Sequence, residues 1–311
     1  MRLKQVEAFV AAVDGGSLRA AARALRVSQP AITKAIQALE TQLHAELLRR
    51  TRHGVEPTAV GRSFLRHARI ACAEMRKAES VVGERLGTGS VAFGVGPVAA
   101  LLVVPAALER FLGQHPEAEV RVVEGFAPAL LPRVRDGSLD FAMGPRLPGD
   151  LDAAFAFRPV FREESAVVCR KGHPLRHAKA LSELARGQWL TQWGSGLGPG
   201  SIARAFAAAG LPEPRQSVQC ESYIAMVALI AQSDVLGVLS RRILGHPLVR
   251  DSIEEIRIGD GPAPFTVGLF SRSRAPLSPL GAAMAKAITV SARELGRGAA
   301  FQAARRVGVS D

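Results

Sequence analysis

The chain has 311 residues, of which 48% are hydrophobic and 22% are charged, and its formal net charge is +12. This composition excludes a mainly disordered protein and suffices for two domains with cores, while the positive charge indicates a polyanionic partner, either nucleic acid or a membrane surface. The charge is concentrated at the beginning, because residues 1–70 hold 12 Lys/Arg against 5 Asp/Glu, whereas the other 241 residues hold 28 against 23.

The first sixty residues predict three short helices followed by a β-hairpin. A helical stripe of apolar side chains runs from Leu3 to Val13. Ser17 is placed to cap a second helix over 18–25, and Ser28 to cap a third helix with Pro30 in its first turn. Residues 47–58 hold arginines and a glycine between apolar residues, which is typical of a short hairpin, or wing.

A long helix is predicted from Thr58 to about Leu86. Its apolar side chains fall on two seven-residue registers, Leu65, Cys72 and Leu86 on one and Ala68, Met75 and Val82 on the other, with an interruption at Glu79. Such a seam is typical of helices that pair, so it predicts dimerisation through this helix. Gly87-Thr88-Gly89 follows as the predicted domain boundary.

Strands and helices alternate from Val91 onward, beginning with a strand over 91–95 and a helix over 97–114, which predicts parallel sheets in two α/β lobes. The predicted domains are a DNA-binding domain over 1–58, a linker helix over 59–88 and an effector-binding domain over 89–311. Within the last, lobe I covers about 89–160 and 266–295, and lobe II covers about 161–265. The segment 266–270 is expected to return to the first lobe, followed by a last helix over 279–295.

The third helix has two faces, and the outward face is a candidate DNA reader. Its apolar stripe includes Ile32, Ile36 and Leu39. The candidate DNA-binding residues are Ser28, Gln29, Pro30, Thr33, Lys34 and Gln37 on the helix, with Arg50 and Arg52 in the hairpin. Gln and Thr can bond base edges, and the helix N-terminus approaches phosphate. An ordinary three-helix bundle with a solvated polar face is the alternative, and the arginine-rich hairpin and charge asymmetry favour DNA.

A close resemblance to LysR-type transcriptional regulators runs through VEAFVAAVDGGSLRAAARALRVSQPAITKAIQALETQL and the following LLRRTRHGVEPTAVG. The matching positions are Ala21-Ala22, Ser28-Gln29-Pro30-Ala31, Leu39-Glu40, Arg50, Gly54, Thr58 and Gly61. A less specific resemblance continues through VPAALERFLGQHP and residues 134–142. The chain departs from the family pattern at Leu48, where Phe is usual, at Lys34, where Arg is common, and at Pro57, where Leu is usual. Lys34 cannot form the rigid bidentate fork of an arginine.

The resemblance implies a winged helix-turn-helix, a long linker helix and a two-lobed α/β effector domain similar to type 2 periplasmic binding proteins. It implies double-stranded DNA as a partner, bound at an interrupted palindrome in a promoter, and a small-molecule effector that changes transcription. Homodimers that assemble into homotetramers are implied as well, and RNA polymerase is a further candidate partner. The resemblance implies no enzymatic activity, no cofactor and no membrane partner.

The loops after the predicted strands form the candidate effector site, because ligands bind in the crevice at the carboxyl ends of parallel strands. The candidate residues are Pro97, Val98, Ala99, Phe126, Arg146, Trp193, Ser195 and Ser222. Arg146 can pair with an acidic effector or be an ordinary surface residue. Phe126 and Trp193 can stack on an aromatic ring or pack at the rim.

A glycine-rich loop over 194–200 leads into a predicted helix. It exposes backbone N–H groups at a helix N-terminus, which is a natural anion site, and a flexible connection is the alternative. Many family members have Ser or Thr near residues 97–100, whereas Pro97, Val98, Ala99 and Ala100 predict a more apolar mouth. The text GPGSIARAFAAAGLPEP resembles regulators of aromatic sulfonate and sugar catabolism, which implies a small organic anion, aromatic in the first instance.

Three other functions compete with this interpretation. A redox sensor would need reactive thiols at Cys169 and Cys220, which have no readable acidic-thiol context. A hydrolase would need a nucleophile elbow with partners, which Ser195 lacks, and His173 and His177 flank a proline that disfavours a helical metal pair. A solute-binding protein would not carry the N-terminal DNA module. No signal peptide and no membrane span are predicted, so we expect a cytoplasmic protein.

Overall fold

A computed structural model describes residues 1–52, 54–85, 89–146, 149, 151–192 and 201–307 of the chain. The chain divides into two compact units. One comprises Met1–Leu86 with Arg135–Ser138, and the other comprises Gly87–Val134 with Leu139–Asp311. Among the described residues, no helix is both long enough and apolar enough to cross a membrane.

The first unit contains four helices and a two-stranded hairpin. In chain order these are α1 (Leu3–Asp14), α2 (Leu18–Ala24), α3 (Gln29–Leu43), β1 (Leu48–Thr51), β2 (Gly54–Pro57) and α4 (Ala59–Arg85). The predicted caps are confirmed, because the Ser17 hydroxyl accepts from Ala20 N–H and the Ser28 hydroxyl accepts from Ala31 N–H. Thr58 likewise caps α4, accepting from Gly61 N–H at 2.9 Å.

The core of this unit includes part of the predicted dimerisation seam. Ala68 and Cys72 of α4 are buried in the same cluster as Phe9, Ile36 and the rest of the helix-turn-helix core, and Leu65 packs against that cluster. These three seam positions therefore serve the fold of one chain. Met75 is exposed, whereas the predicted positions Val82 and Leu86 lie outside the described side chains. The regular spacing of Leu65, Ala68 and Cys72 is accounted for by packing within the chain and is not by itself evidence of dimerisation.

The second unit begins with alternating strands and helices. In chain order these are β3 (Gly89–Val95), α5 (Pro97–Leu102), α6 (Val104–Leu112), β4 (Ala118–Glu124), α7 (Ala127–Arg135), β5 (Phe141–Pro145) and β6 (Phe155–Glu163). The next group is β7 (Ser165–Arg170), β8 (Gln188–Gln192), α8 (Ser201–Ala208), β9 (Gln216–Cys220), α9 (Tyr223–Gln232), β10 (Val235–Ser240), α10 (Pro247–Arg250) and β11 (Ile253–Ile256). The chain then forms β12 (Phe265–Arg272) and α11 (Pro279–Val307), and two short 3₁₀ helices cover Leu181–Leu184 and Arg241–Gly245.

Two five-stranded sheets organise this unit, with strand orders β4-β3-β5-β12-β6 and β11-β7-β10-β8-β9. The return of β12 to the first sheet is confirmed. The sheets are mixed where purely parallel sheets were predicted, because β12 pairs antiparallel with β5 and β6, and β7 pairs antiparallel with β10 and β11. The chain crosses between the sheets twice, at Glu163–Ser165 and between β11 and β12.

The helix predicted over 97–114 is two helices. Val103 ends α5 and precedes α6 with φ −111° and ψ −45°, and Pro105 lies in the first turn of α6. A proline has no backbone N–H, so residue 105 cannot donate the hydrogen bond that a continuous helix would need, and the helix is interrupted here. Val104 and Ala107 of α6 and Ala99 of α5 then all reach the core beneath the first sheet.

Candidate functional site

The exposed face of α3 presents the predicted reading residues. Gln29, Pro30, Lys34 and Gln37 are exposed, and Ser28 holds the helix N-terminus through its 3.4 Å bond from Ala31 N–H. Thr33 is half-buried, and its hydroxyl donates to the Gln29 carbonyl at 3.1 Å. Thr33 therefore retains only acceptor capacity for a base, whereas the glutamine side chains retain donors and acceptors.

The predicted wing is the β1–β2 hairpin, and it is fixed to the turn between α1 and α2. Val55 N–H donates to the Gly16 carbonyl at 2.9 Å. Gly54 has a φ of +136°, and a Cβ there would overlap that same carbonyl oxygen. Arg50 and Arg52 are exposed on this hairpin, while Arg49 pairs with Glu56 at 2.8 Å. The wing thus carries cations on a backbone of fixed position, suited to phosphate contact.

Glu40 connects α3 to the wing, a structural role that its position in the family pattern did not indicate. One of its carboxylate oxygens accepts from both Leu47 N–H and Leu48 N–H, at 2.7 and 3.0 Å. Three further exposed cations, Arg19, Arg23 and Arg26, lie on α2 and directly after it. These three arginines extend the basic surface of this unit. Their clustering within eight residues of the sequence could have identified them as candidate DNA contacts.

A cavity of about 180 Å³ lies in the second unit, with residues of both sheets in its lining. Pro97, Val98 and Ala99 of α5 line it, as does Phe126, so four of the eight predicted effector residues come together. Most of the other lining side chains are apolar, among them Leu102, Leu130, Met143, Phe161, Leu190, Ile202 and Met226. The mouth is apolar as the absence of Ser and Thr at 97–100 predicted.

The other predicted effector residues do not join this lining. Arg146 is exposed, with its guanidinium 5.8 Å from the centroid of the Phe157 ring. Ser222 is exposed and caps α9, accepting from Ala225 N–H at 3.3 Å. Trp193, Ser195 and the glycine-rich loop lie outside the described residues. Arg146 and Ser222 are not among the described residues that line this cavity, because strand-end position does not determine which way a side chain faces.

Polar residues that sequence reasoning missed also line the cavity, among them Glu163, Tyr223, Ser240 and Arg242. Burial is the largest influence on Glu163 and raises the pKa of its carboxyl above the ordinary value despite the nearby Arg242 cation. Burial, and then the Glu163 carboxylate, raise the pKa of Tyr223. The sequence gave one indication of these residues, because the predicted effector residue Ser222 is the neighbour of Tyr223. The prediction chose the serine and not the tyrosine.

The competing functions gain no support from the chemistry of the described residues. Cys169 is buried, and burial raises the pKa of its thiol to about 11, with Glu254 adding to the shift, so the reactive thiolate is scarce at neutral pH. The Cys220 thiol donates to the Ser222 carbonyl. Where the chain is described, no three His, Cys, Asp or Glu side chains come together as a metal site.

Two family profiles match the chain and cover both units. Residues 3–62 match the bacterial regulatory helix-turn-helix protein of the lysR family, and residues 84–291 match the LysR substrate binding domain. The chain belongs to the LysR family. LysR-family proteins of this architecture are DNA-binding transcriptional regulators with an effector-binding domain, and that is the function of this chain.

Curated relatives and a solved structure agree with this assignment. The regulator GbpR of Azospirillum brasilense is 32% identical over 78% of this chain and 72% of its own length. The SDS degradation transcriptional activation protein of a Pseudomonas species is 31% identical over 91% of this chain and 94% of its own. The crystal structure of CbnR, a LysR family transcriptional regulator, matches 94% of this chain and 99% of its own with a TM-score of 0.67 at 21% identity, which shows a common fold.

Proposed function

We propose that this LysR-family regulator reads promoter DNA with the exposed face of α3 and the wing, and senses a small organic molecule in the cavity of its second unit. The observation that carries the sensing half is the cavity itself, an apolar space with a few buried polar groups, as small-molecule sites generally are. The reading half is supported by the exposure of Gln29, Pro30, Lys34 and Gln37 beside an arginine wing.

The proposed DNA site is an interrupted palindrome near a promoter, contacted by a homodimer that assembles into a homotetramer. Two copies of α3 would then enter major grooves about 34 Å apart. RNA polymerase is the proposed further partner, because a regulator of transcription acts through it. Such a role belongs in the compartment that holds the bacterial chromosome, which is the cytoplasm.

The proposed effector is a small organic anion with an apolar body, and an aromatic ring is the first candidate for that body. The apolar cavity lining supports the body, since Phe126 and Phe161 offer ring faces or edges for stacking. One relative is named for the activation of SDS degradation, and SDS is an organic anion with an apolar body. That relative supports the chemical class proposed here and leaves the identity of this chain's effector to experiment.

One experiment tests both halves on the full-length protein. Thermal unfolding is followed with a panel of aromatic and aliphatic acids, amides and alcohols, and any stabilising compound is then added to a titration of the DNA upstream of the protein's own gene. We expect at least one compound to raise the melting temperature and to change the DNA affinity or footprint.

Val98→Trp is the matched variant, because the larger ring would fill the cavity, whereas α3 belongs to the other unit. This variant is expected to bind DNA as the wild type does and to lose the response to the compound. Stabilisation that persists in Val98→Trp would place the binding site elsewhere, and a panel without any stabilising compound would refute the sensing half.

A further inference from the structure

Four polar side chains of the cavity lining come together around Glu163, beside the Glu163–Ser165 crossover between the two sheets. We call Glu163, Tyr223, Ser240 and Arg242 the crossover cluster. Glu163 is 2% exposed, Tyr223 6% and Ser240 8%, and the Arg242 side chain is 18% exposed. Polar groups buried to this degree normally have hydrogen-bond partners, so their bonding can be accounted for atom by atom.

Part of the cluster is satisfied within the chain. One oxygen of Glu163 accepts from Glu164 N–H at 3.0 Å. The Nη2 of Arg242 donates to the Arg162 carbonyl at 3.2 Å, and its guanidinium lies 5.1 Å from the centroid of the Phe161 ring. These contacts fix Arg242, which follows a strand of the second sheet, against residues of the first sheet.

The remaining atoms of the cluster have no well-aligned hydrogen bond within the chain, although Ser240 and Arg242 both lie within reach of the Glu163 carboxyl. These atoms are Oε2 of Glu163, the hydroxyl of Tyr223, the hydroxyl of Ser240, and Nε and Nη1 of Arg242. Oε2 of Glu163 lies 3.2 Å from Nε of Arg242, close enough for an ion pair but without hydrogen-bonding alignment. The Ser240 hydroxyl faces the same carboxyl. The N–H and O–H hydrogens of these groups outnumber their acceptor oxygens, because Arg242 has only donors, each hydroxyl has one hydrogen and one acceptor oxygen, and Glu163 adds a single oxygen.

An excess of buried donors around a cation is complementary to an acceptor-rich, negatively charged group. Resting on the proposed sensing function, we infer that the crossover cluster binds the carboxylate of a small organic acid, whose apolar body lies against the apolar wall of the cavity. Arg242 supplies the charge, and Tyr223 and Ser240 supply oriented hydroxyl donors. The volume of about 180 Å³ is comparable with cavities of about 150 Å³ that take one benzene-sized molecule.

Glu163 would repel such a ligand if it stayed ionised beside it. Its burial disfavours the charged form and raises the pKa of its carboxyl, while Arg242 acts in the opposite direction. A ligand carboxylate on Arg242 would replace Glu163 as the partner of that cation and would favour proton uptake by Glu163, which then becomes a further donor. Charge is balanced in this exchange, because one carboxylate enters and one proton is taken from water.

The chain contains a single tyrosine, Tyr223, which makes the cluster directly observable. Full-length protein labelled with 3-fluorotyrosine should give one ¹⁹F resonance. The probes are matched sets of acid, amide and alcohol: benzoate, benzamide and benzyl alcohol, and octanoate, octanamide and 1-octanol. We expect at least one acid to shift the resonance in a saturable way and to bind about ten-fold or more tightly than its amide and alcohol, as a charge-assisted contact requires.

Arg242→Gln is expected to weaken binding of that acid about ten-fold or more and to remove its preference over the amide. Arg146→Gln is the matched control, since Arg146 is exposed and outside the cavity lining. Ser240→Ala, which removes one hydroxyl without touching the Arg242 contacts to Arg162 and Phe161, should weaken the acid less. Melting curves of all variants show whether each is folded.

The outcomes separate this inference from the proposed function. Amides or alcohols that bind as tightly as the acids, or an acid whose binding survives Arg242→Gln or is lost in Arg146→Gln, would overturn the carboxylate assignment and leave the effector cavity standing. Absence of binding by all six probes would overturn the assignment. The broader compound panel with Val98→Trp then decides separately whether the cavity senses anything.

Discussion

Thr33 and Gln29 are joined by one hydrogen bond in the first turns of α3. This bond determines which hydrogen-bonding groups each residue can still offer to a base. The Thr33 hydroxyl gives its proton to the Gln29 carbonyl, so Thr33 can meet a base only as an acceptor or through its methyl group. The Gln29 side chain keeps an amide donor and a carbonyl acceptor, the pair that suits the major-groove edge of adenine. Gln29 is therefore the better candidate for base readout.

Gln29→Ala should weaken specific DNA binding by about 1–3 kcal/mol and relax the preference at one base pair. Binding to unrelated DNA should change little, because phosphate contacts remain. Gln42→Ala is the control, since Gln42 is exposed at the opposite end of the same helix. Fluorescence anisotropy with specific and scrambled duplexes at fixed salt measures both. Equal losses for both variants, or for both duplexes, would contradict a base contact by Gln29.

The arginines of the second unit show what a single residue's identity cannot reveal. Arg146 follows a predicted strand, where ligand contacts are common, yet its side chain is exposed over Phe157. Arg242 follows β10 without any distinguishing motif, yet it is half-buried against Glu163 and Phe161. The difference in exposure between the two arginines results from long-range packing at the crossover between the sheets. Neither the periodicity nor the local composition of the sequence contains that information.

Among the elements, the start of α4 and the end of α3 are fixed together through the residues that precede the wing. Gly61 is buried one turn into α4, and a Cβ there would overlap the Leu47 carbonyl oxygen. That carbonyl also accepts from Thr58 N–H, while Leu47 N–H is held by Glu40. This close approach between backbones leaves no room for any side chain at position 61.

Gly61→Ala should destabilise the first unit by about 1–3 kcal/mol, because the backbone at Leu47 must move and strain its bonds to Glu40 and Thr58. The higher helix propensity of alanine offsets only part of this. Val60→Ala, at an exposed neighbouring position, should cost less than about 0.5 kcal/mol. Chemical denaturation followed by circular dichroism compares the two. A stable Gly61→Ala protein with unchanged DNA affinity would refute the tight contact.

Elements with strong local signals were predicted well, and elements that depend on distant partners were not. The helices capped by Ser17, Ser28 and Thr58 begin within a residue of their predicted starts. The sequence predicts no strand at β6 because Pro159 interrupts the alternation of Phe155, Phe157 and Phe161 with Arg158 and Arg162. β6 forms the edge of its sheet, where a strand tolerates a proline that a central strand would not.

At the scale of the whole chain, the basic surface and the cavity belong to different compact units. Residues 1–70 hold most of the excess positive charge, with 12 Lys/Arg against 5 Asp/Glu. The described residues that line the cavity all belong to the second unit, and Arg242 is the one cation among them. DNA affinity should accordingly depend steeply on salt, whereas the stability of the second unit should respond to groups buried in the cavity.

Glu163 gives this second unit a defined pH dependence. Its folded-state pKa lies above its ordinary value of 4.5, mainly through burial, with Arg242 opposing and the Tyr223 hydroxyl nearby. Between the unfolded and folded pKa values the folded protein keeps a proton that the unfolded chain has lost. Stability therefore falls as pH rises through this interval, with a slope of at most about 1.4 kcal/mol per pH unit.

Glu163→Gln removes that loss, so the variant should gain stability relative to wild type as pH rises from about 4.5 toward neutrality. Urea unfolding of both proteins across this range measures the difference, and Glu119→Gln, at an exposed position on β4, is the control variant. Parallel profiles for wild type and Glu163→Gln would show that the cation of Arg242 compensates fully for burial.

The rate at which the Cys72 thiol is labelled can measure how often α4 separates from the core of the first unit. The thiol is 3% exposed in the core that α4 shares with α1 and α3, so a labelling reagent reaches it only when the helix lifts away. The labelling rate would then measure how often the first unit opens along this seam. If the rate falls when DNA is bound and changes again when a compound occupies the cavity, the same cysteine reports in real time how the effector alters the stability of the DNA-binding unit.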